Sequence, residues 1–230
     1  MISLPKTVKI IDKKKNWARF QIEGLWPGYG VTIGNSLRRI LFSSLEGGAV
    51  TKMKIKGASH EFSTISGILE DVITIMQNLK QMRFRIFSEE PQKATLKAKG
   101  EKKVKGSNFI FPPQLELANP DCHIATLTSK SAKLEMEITI EKGVGYLPRE
   151  ARQEKSEIGL IPVDAIFTPI KRVNFKVENM RVGERTDFDR LFLEIETDGI
   201  ISPEDALKKA SEILKSHFDF LTSFKKYEKA

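Results

Sequence analysis

The residues best suited by type and spacing to hold a phosphate are Gly28-Tyr29-Gly30-Val31-Thr32-Ile33-Gly34. A glycine-rich turn that opens a helix can aim backbone N–H groups at an anion. Yet no Lys-Ser or Lys-Thr follows Gly34, and the preceding Gly24-Leu25-Trp26-Pro27 does not read as a buried parallel strand. A tight turn that needs positive φ accounts for the same glycines. His60, His123 and His217 are scattered, and each reads as a structural or surface histidine, His123 included despite the adjacent Asp121 and Cys122. Cys122 is the single cysteine, so neither an internal disulfide nor a cysteine-based zinc site can form. No serine lies in Gly-x-Ser-x-Gly, and no Asp-x-Asp-x-Asp run offers clustered carboxylates to Mg²⁺. The expectation is a chain with no catalytic residue, no metal and no cofactor of its own.

A different chemistry, protein recognition, is suggested by one helix. Ile33, Leu37, Ile40, Leu41 and Leu45 recur at i, i+4, i+7, i+8 and i+12, which is one face of a helix. At about 100° per residue, Arg39 points nearly the opposite way, with Phe42 and Ser43 on the same outer side. An aromatic ring beside a guanidinium on an outward face has the composition of an interface hot spot. The alternative is that Phe42 packs under a neighbouring loop and Arg39 is merely solvated.

These side chains must be held by a scaffold, and the pattern of the chain supplies one. Val8, Ile10, Trp17, Phe20 and Ile22 fall in short strand-like runs. The first helix follows, with Thr32 as its N-cap and Gly47-Gly48 as its stop. A second helix is expected from Gly67 to Lys80, capped by Ser66, with Glu70 and Asp71 at the positive end of its dipole. Strict alternation then marks strands at Met82–Ile86, Ala132–Ile140 and Leu191–Ile195. The last helix opens at Ser202-Pro203-Glu204-Asp205, an N-cap, a proline at the first helical position and two first-turn acids. Leu207, Ala210, Leu214, His217, Leu221 and Phe224 form its stripe, flanked by Ile213 and Phe218. That stripe is wider than a small domain needs, so a partner helix, such as the same helix of a second copy, is expected to cover it. The order β-α, β-rich middle, β-α suits an α+β fold of two lobes, in which the chain ends pair and the middle is inserted.

Composition bounds the function. With its 15 glycines counted as apolar, the 230-residue chain is ordinary globular protein, not a disordered one. No apolar stretch approaches the roughly 18 residues of a membrane span, and the start has no apolar core or cleavage site of a signal peptide. A cytoplasmic protein is the expectation. Lys and Arg outnumber Asp and Glu 38 to 30, a net charge of +8. The lysines gather at Lys13–Lys15, at Lys97, Lys99, Lys102, Lys103 and Lys105, and at Lys225 and Lys226. Solvated faces and a hairpin tip explain them, as does proximity to nucleic acid, although no aromatics are interleaved to stack bases. A free-standing basic nucleic-acid-binding protein and a nucleotide-binding enzyme are therefore the competing readings.

Gly34-Asn35-Ser36-Leu37-Arg38-Arg39-Ile40-Leu41, followed by Ser43-Ser44, resembles the signature of the bacterial-type RNA polymerase α subunit. Further segments agree in order: His60-Glu61-Phe62-Ser63-Thr64, Glu70-Asp71, Asn78-Leu79-Lys80, Gly143-Val144-Gly145-Tyr146-Leu147-Pro148, Val163-Asp164-Ala165, Arg185-Thr186-Asp187, Glu196-Thr197-Asp198-Gly199 and Pro203-Glu204-Asp205-Ala206. The likeness covers nearly the whole chain. Val144 departs from it where the family commonly has Arg, and the Arg149–Glu157 segment looks shorter than in many relatives.

The resemblance implies a homodimeric scaffold of DNA-directed RNA polymerase on which the catalytic β and β′ subunits assemble. It implies a discontinuous dimerisation domain, residues 1–49 and 175–230, and an inserted β-rich assembly domain, residues 50–174. Arg38, Arg39 and Phe42 are implied to bind β, and Lys80 and Val163 to bind β′. Tyr29, Ile33, Ile40, Leu214, Phe218 and Leu221 are implied to form the dimer interface. Mg²⁺ is expected in the catalytic subunits alone. DNA is expected to be met indirectly, through the holoenzyme, because the family's carboxy-terminal promoter-binding domain is expected to be absent from a chain ending at Ala230. No membrane and no small-molecule substrate are implied. The compartment is the cytoplasm, or the plastid stroma for an organellar member.

Overall fold

The computed structural model describes residues 2, 4–5, 7–151 and 159–223. Phe224, Lys225, Lys226 and residues 152–157 of the segment expected to be short lie outside them. In chain order the elements are β1 (Thr7–Lys14), β2 (Trp17–Leu25), α1 (Tyr29–Ser43), β3 (Glu46–Ile55), α2 (Val72–Leu79), β4 (Phe84–Ile86), β5 (Gln92–Lys99) and β6 (Lys102–Lys105). There follow β7 (Phe109–Ile110), β8 (Leu115–Leu117), β9 (His123–Leu127), β10 (Lys133–Val144), β11 (Tyr146–Leu147), β12 (Leu160–Pro162), β13 (Ala165–Ile166), β14 (Ile170–Val182), β15 (Arg185–Thr197) and α3 (Pro203–Thr222). The fold is mixed α+β. It divides into one unit made of Met1–Leu45 with Thr168–Ala230, and a second made of Glu46–Phe167. The divisions fall earlier than the 49/50 and 174/175 boundaries expected, because β3 already belongs to the inserted sheet at Glu46 and β14 runs unbroken from Ile170.

In the first unit four antiparallel strands lie in the order β1-β2-β15-β14. Their alternating Ala18 and Phe20, and Leu193 and Ile195, are buried against Leu37 and Leu41 of α1 and Ala206 and Ala210 of α3. Two helices thus cover one sheet face. The sheet's edges are β1 and the 13-residue β14. α3 begins as its sequence dictates: the Ser202 hydroxyl accepts from the Asp205 N–H at 3.1 Å and Pro203 sits in the first turn.

α1 begins otherwise. Its N-cap is Gly28, left-handed at φ 84°, and Thr32 lies one turn inside the helix with its hydroxyl bonded to the Gly28 carbonyl. The cap comes from across the fold, where buried Asp189 of β15 accepts from the Gly30 N–H at 2.9 Å. The helix can approach this closely because Gly30 and Gly34 carry no side chain. A Cβ on Gly30 would lie 2.8 Å from Val177, and one on Gly34 2.7 Å from the Phe175 ring. The other end is corrected too. α1 stops at Ser43, and Gly47 and Gly48 are strand positions of β3, opposite Gly143 and Lys142.

The second unit is built on a seven-stranded sheet, β7-β5-β10-β3-β4-β8 with β12 also pairing β3. Leu134, Met136, Ile138 and Ile140 of β10 point into a core shared with Val72, Ile75 and Leu79 of α2. α2 is shorter than expected, and its cap is Asp71, whose carboxylate accepts from the Thr74 N–H at 2.7 Å, rather than Ser66. Residues 67–69 are drawn to a strand instead. The Leu69 N–H donates to the Thr126 carbonyl and the Thr128 N–H to that of Gly67. Among the described residues no helix is long and apolar enough to cross a membrane.

If Asp189 caps α1, Asp189→Ala leaves the Gly30 N–H buried without an acceptor. The expected loss is about 1–2 kcal/mol, read as a lower urea midpoint at unchanged slope. Asp189→Asn keeps an acceptor oxygen and recovers most of the loss.

Candidate functional site

α1 turns two cations outward. Arg38 and Arg39 are both exposed, and neither guanidinium has a hydrogen bond or ion pair among the described residues. Phe42 is not on that outer face. It is half-buried and packs against the core of the first unit. It braces the helix that presents the guanidinium groups and is not itself laid open beside them.

The residues expected at the dimer interface divide by depth. Ile33, Ile40 and Leu214 are half-buried against the same core, while Tyr29 is largely exposed. Past Leu214 the last two turns of α3 leave the sheet behind, and there Phe218 is 60% and Leu221 63% exposed. Phe220, which the sequence stripe omitted, is barer still. Between α1, α3 and the β1-β2 hairpin runs an open apolar groove of about 390 Å³, its walls including Val8, Leu25, Ile33, Leu214 and Phe218. Burial of such side chains stabilises by roughly 1.5–3 kcal/mol each, so a groove and helix end of this kind are an unfinished core.

Lys80 and Val163 lie in the second unit. Lys80, at the end of α2, bonds Asp164 at 2.7 Å, and the other Asp164 oxygen accepts from the Arg149 N–H at 3.0 Å. Arg149 in turn bonds Glu61 at 2.9 Å and Glu150 at 3.1 Å. The Lys80 ammonium, then the Arg149 N–H, hold the Asp164 carboxyl below the usual aspartate range. Val163 is fully buried, its N–H donating to the Thr51 carbonyl. It does not reach the surface. It fixes the backbone from which Asp164 projects.

The remaining chemistry-bearing residues find structural partners. His123 bonds Glu70 at 2.7 Å. Burial works to raise the Glu70 carboxyl, but His123 and the Thr126 N–H and hydroxyl outweigh it and leave it low. Burial pushes the Cys122 thiol up, away from thiolate reactivity. Among the described residues no three His, Cys, Asp or Glu gather as metal ligands. The glycines of 28–34 serve a turn and a close packing, as the sequence allowed. Asp189 was overlooked, although it shares its parity with Leu191, Leu193 and Ile195 and so had to fall on the buried face. The link from Lys80 through Asp164 to Arg149 left no signal, since Lys80 is distant from both in sequence.

Residues 53–168 match the family model described as the RNA polymerase Rpb3/RpoA insert domain. The chain is 48% identical over 223 residues to the DNA-directed RNA polymerase subunit alpha of Roseiflexus castenholzii, covering 97% of this chain and 68% of that protein. The subunit of the same name from Herpetosiphon aurantiacus is 47% identical over 227 residues, 99% of this chain and 68% of the relative. That of Oceanobacillus iheyensis is 44% identical over 220 residues, 95% and 70%.

The Asp164 pair carries a pH signature. A carboxyl whose folded pKa is depressed contributes its stability above its unfolded pKa, about 3.9, and loses it as the pH falls through the folded value. Asp164→Asn should therefore cost about 1 kcal/mol near neutrality. The gap between native and variant should close as the pH falls from about 5 to about 2. Urea unfolding across that range measures it.

Proposed function

The chain belongs to the α-subunit family of DNA-directed RNA polymerase, and we propose that it is a homodimeric scaffold on which the β and β′ subunits assemble. The observation that carries this reading is the bare apolar end of α3 beside the groove it shares with α1. A second copy offers the same surface and fills both at once, which is the self-complementarity of a two-fold interface. The unit built from both chain ends is then the dimerising one, and the inserted unit serves assembly.

In this reading Arg38 and Arg39 meet β. They are exposed, uncommitted charges on a helix whose other side is fixed in the core, so docking costs no internal ion pair. Phe42 acts by holding that helix. Lys80 meets β′ from a position fixed by Asp164, and Val163 acts through the segment beneath it. The chain supplies surfaces and no catalytic group. Mg²⁺ belongs to the partner subunits, and DNA is contacted through the assembled enzyme in the cytoplasm.

Phe218→Asp should leave the isolated fold intact, since that ring is mostly exposed, and should convert dimer to monomer at micromolar concentration in sedimentation. A native chain that sediments as a monomer would overturn the scaffold reading.

Arg39→Ala should keep the dimer and its stability, within about 0.5 kcal/mol. It should weaken β capture by 2 kcal/mol or more, about thirtyfold. Co-purification of tagged α with β, beside size exclusion of α alone, separates the two effects. Normal capture of β by this variant would remove β from that face. Phe42→Ala should instead lower stability first.

A further inference from the structure

The face of the second unit's sheet turned away from its core is a bed of lysines. β5 contributes Lys93, Lys97 and Lys99, β3 contributes Lys54, and Lys56 follows in the turn after β3. Between them β10 carries Glu135 and Glu137, and both carboxylates are engaged: Glu135 with Lys56 at 3.0 Å and Glu137 with Lys93 at 2.9 Å. The ammonium groups of Lys54, Lys97 and Lys99 have no ion pair or hydrogen bond among the described residues. The register also sets Lys99 directly opposite Lys133. Like charges facing each other across a sheet are destabilising, and a face shaped for solvation alone would set an acid there. Lys56 first, with Lys97 and Lys133 adding their field, depresses the Glu135 carboxyl.

The geometry points to this face as a docking bed for an extended acidic polypeptide segment with Asp or Glu at alternate residues. Side chains on one face of an extended chain recur every two residues, about 6.6–6.8 Å apart. Lys97 and Lys99 repeat at that interval along β5, and Lys54 lies two strands across on β3. Duplex DNA presents one charge per about 1.7 Å of axis and is read by elements that enter a groove. Among these strand residues the face carries neither such an element nor an aromatic ring. A hollow of about 420 Å³ between Lys54, Lys56 and Lys97, lined also by the ion-paired Glu135 and Glu137, leaves room for a side chain of the docked segment.

The test uses the whole chain and a fluorescein-labelled peptide of alternating Glu and Thr, followed by anisotropy at low and at physiological salt. Binding that weakens as salt rises is expected. The double variant Lys97→Glu, Lys99→Glu should weaken it at least about tenfold. Lys208→Glu, Lys209→Glu on α3 makes the same change in net charge and should leave binding within about twofold. Lys54→Glu, on β3, should weaken it as well, and decides the matter if the double variant fails to fold. Absence of peptide binding, equal loss from both double variants, or tighter binding of a duplex of matched charge would each overturn the proposal.

Discussion

The first unit depends on one close approach. α1 lies against β14 and β15 without intervening side chains at Gly30 and Gly34, where a single added carbon would collide with Val177, Phe175 or Leu191. Asp189 then closes the contact by taking the Gly30 N–H. With the helix seated so, its rotation is no longer free. Leu37 and Leu41 go under, Ile33 and Ile40 are half-buried, and Arg38 and Arg39 face water. The cations on the outside and the groove on the inside are two results of the same contact.

How much of this was legible follows from where each signal is stored. Strands with one wet face were plain, because period-two alternation is a local property: the residues from Lys133 to Ile140 read from sequence as they lie in β10, which starts one residue later than expected and runs on to Val144. α3 was plain for the same reason, its start written in four consecutive residues. The start of α1 was misjudged because its capping oxygen sits 159 residues away. The start of α2 was misjudged because Thr126 and Thr128 bind the backbone of residues 67–69 first. Gly47 and Gly48 resembled a helix stop, but at Gly48 the absent side chain makes room for Ile86 and Phe84.

The candidate surfaces were legible in kind and less so in detail. Helical geometry alone turned Arg39 outward, and it is outward. It gave Phe42 the same side, but a ring can lean across a helix toward apolar neighbours, and this one does. Family likeness drew attention to Lys80 and Val163 without the reason they belong together. The structure supplies it as a salt bridge to Asp164, the residue that follows Val163. The open groove had no sequence signature at all, since it is made of gaps between β1, β2, α1 and α3.

The edge strand β14 has a bearing on how copies of this protein keep from joining wrongly. Thirteen residues of sheet end there, with no strand beyond among the described residues, a length on which another chain could continue the hydrogen-bond ladder. Lys171, Arg172, Lys176 and Arg181 are exposed along it, against the single acid Glu178. Two such edges brought side by side would set cation against cation, and the repulsion is renewed with every strand added. Growth into a fibril is thereby discouraged along β14, and in the proposed dimer contacts between copies are left to the helices.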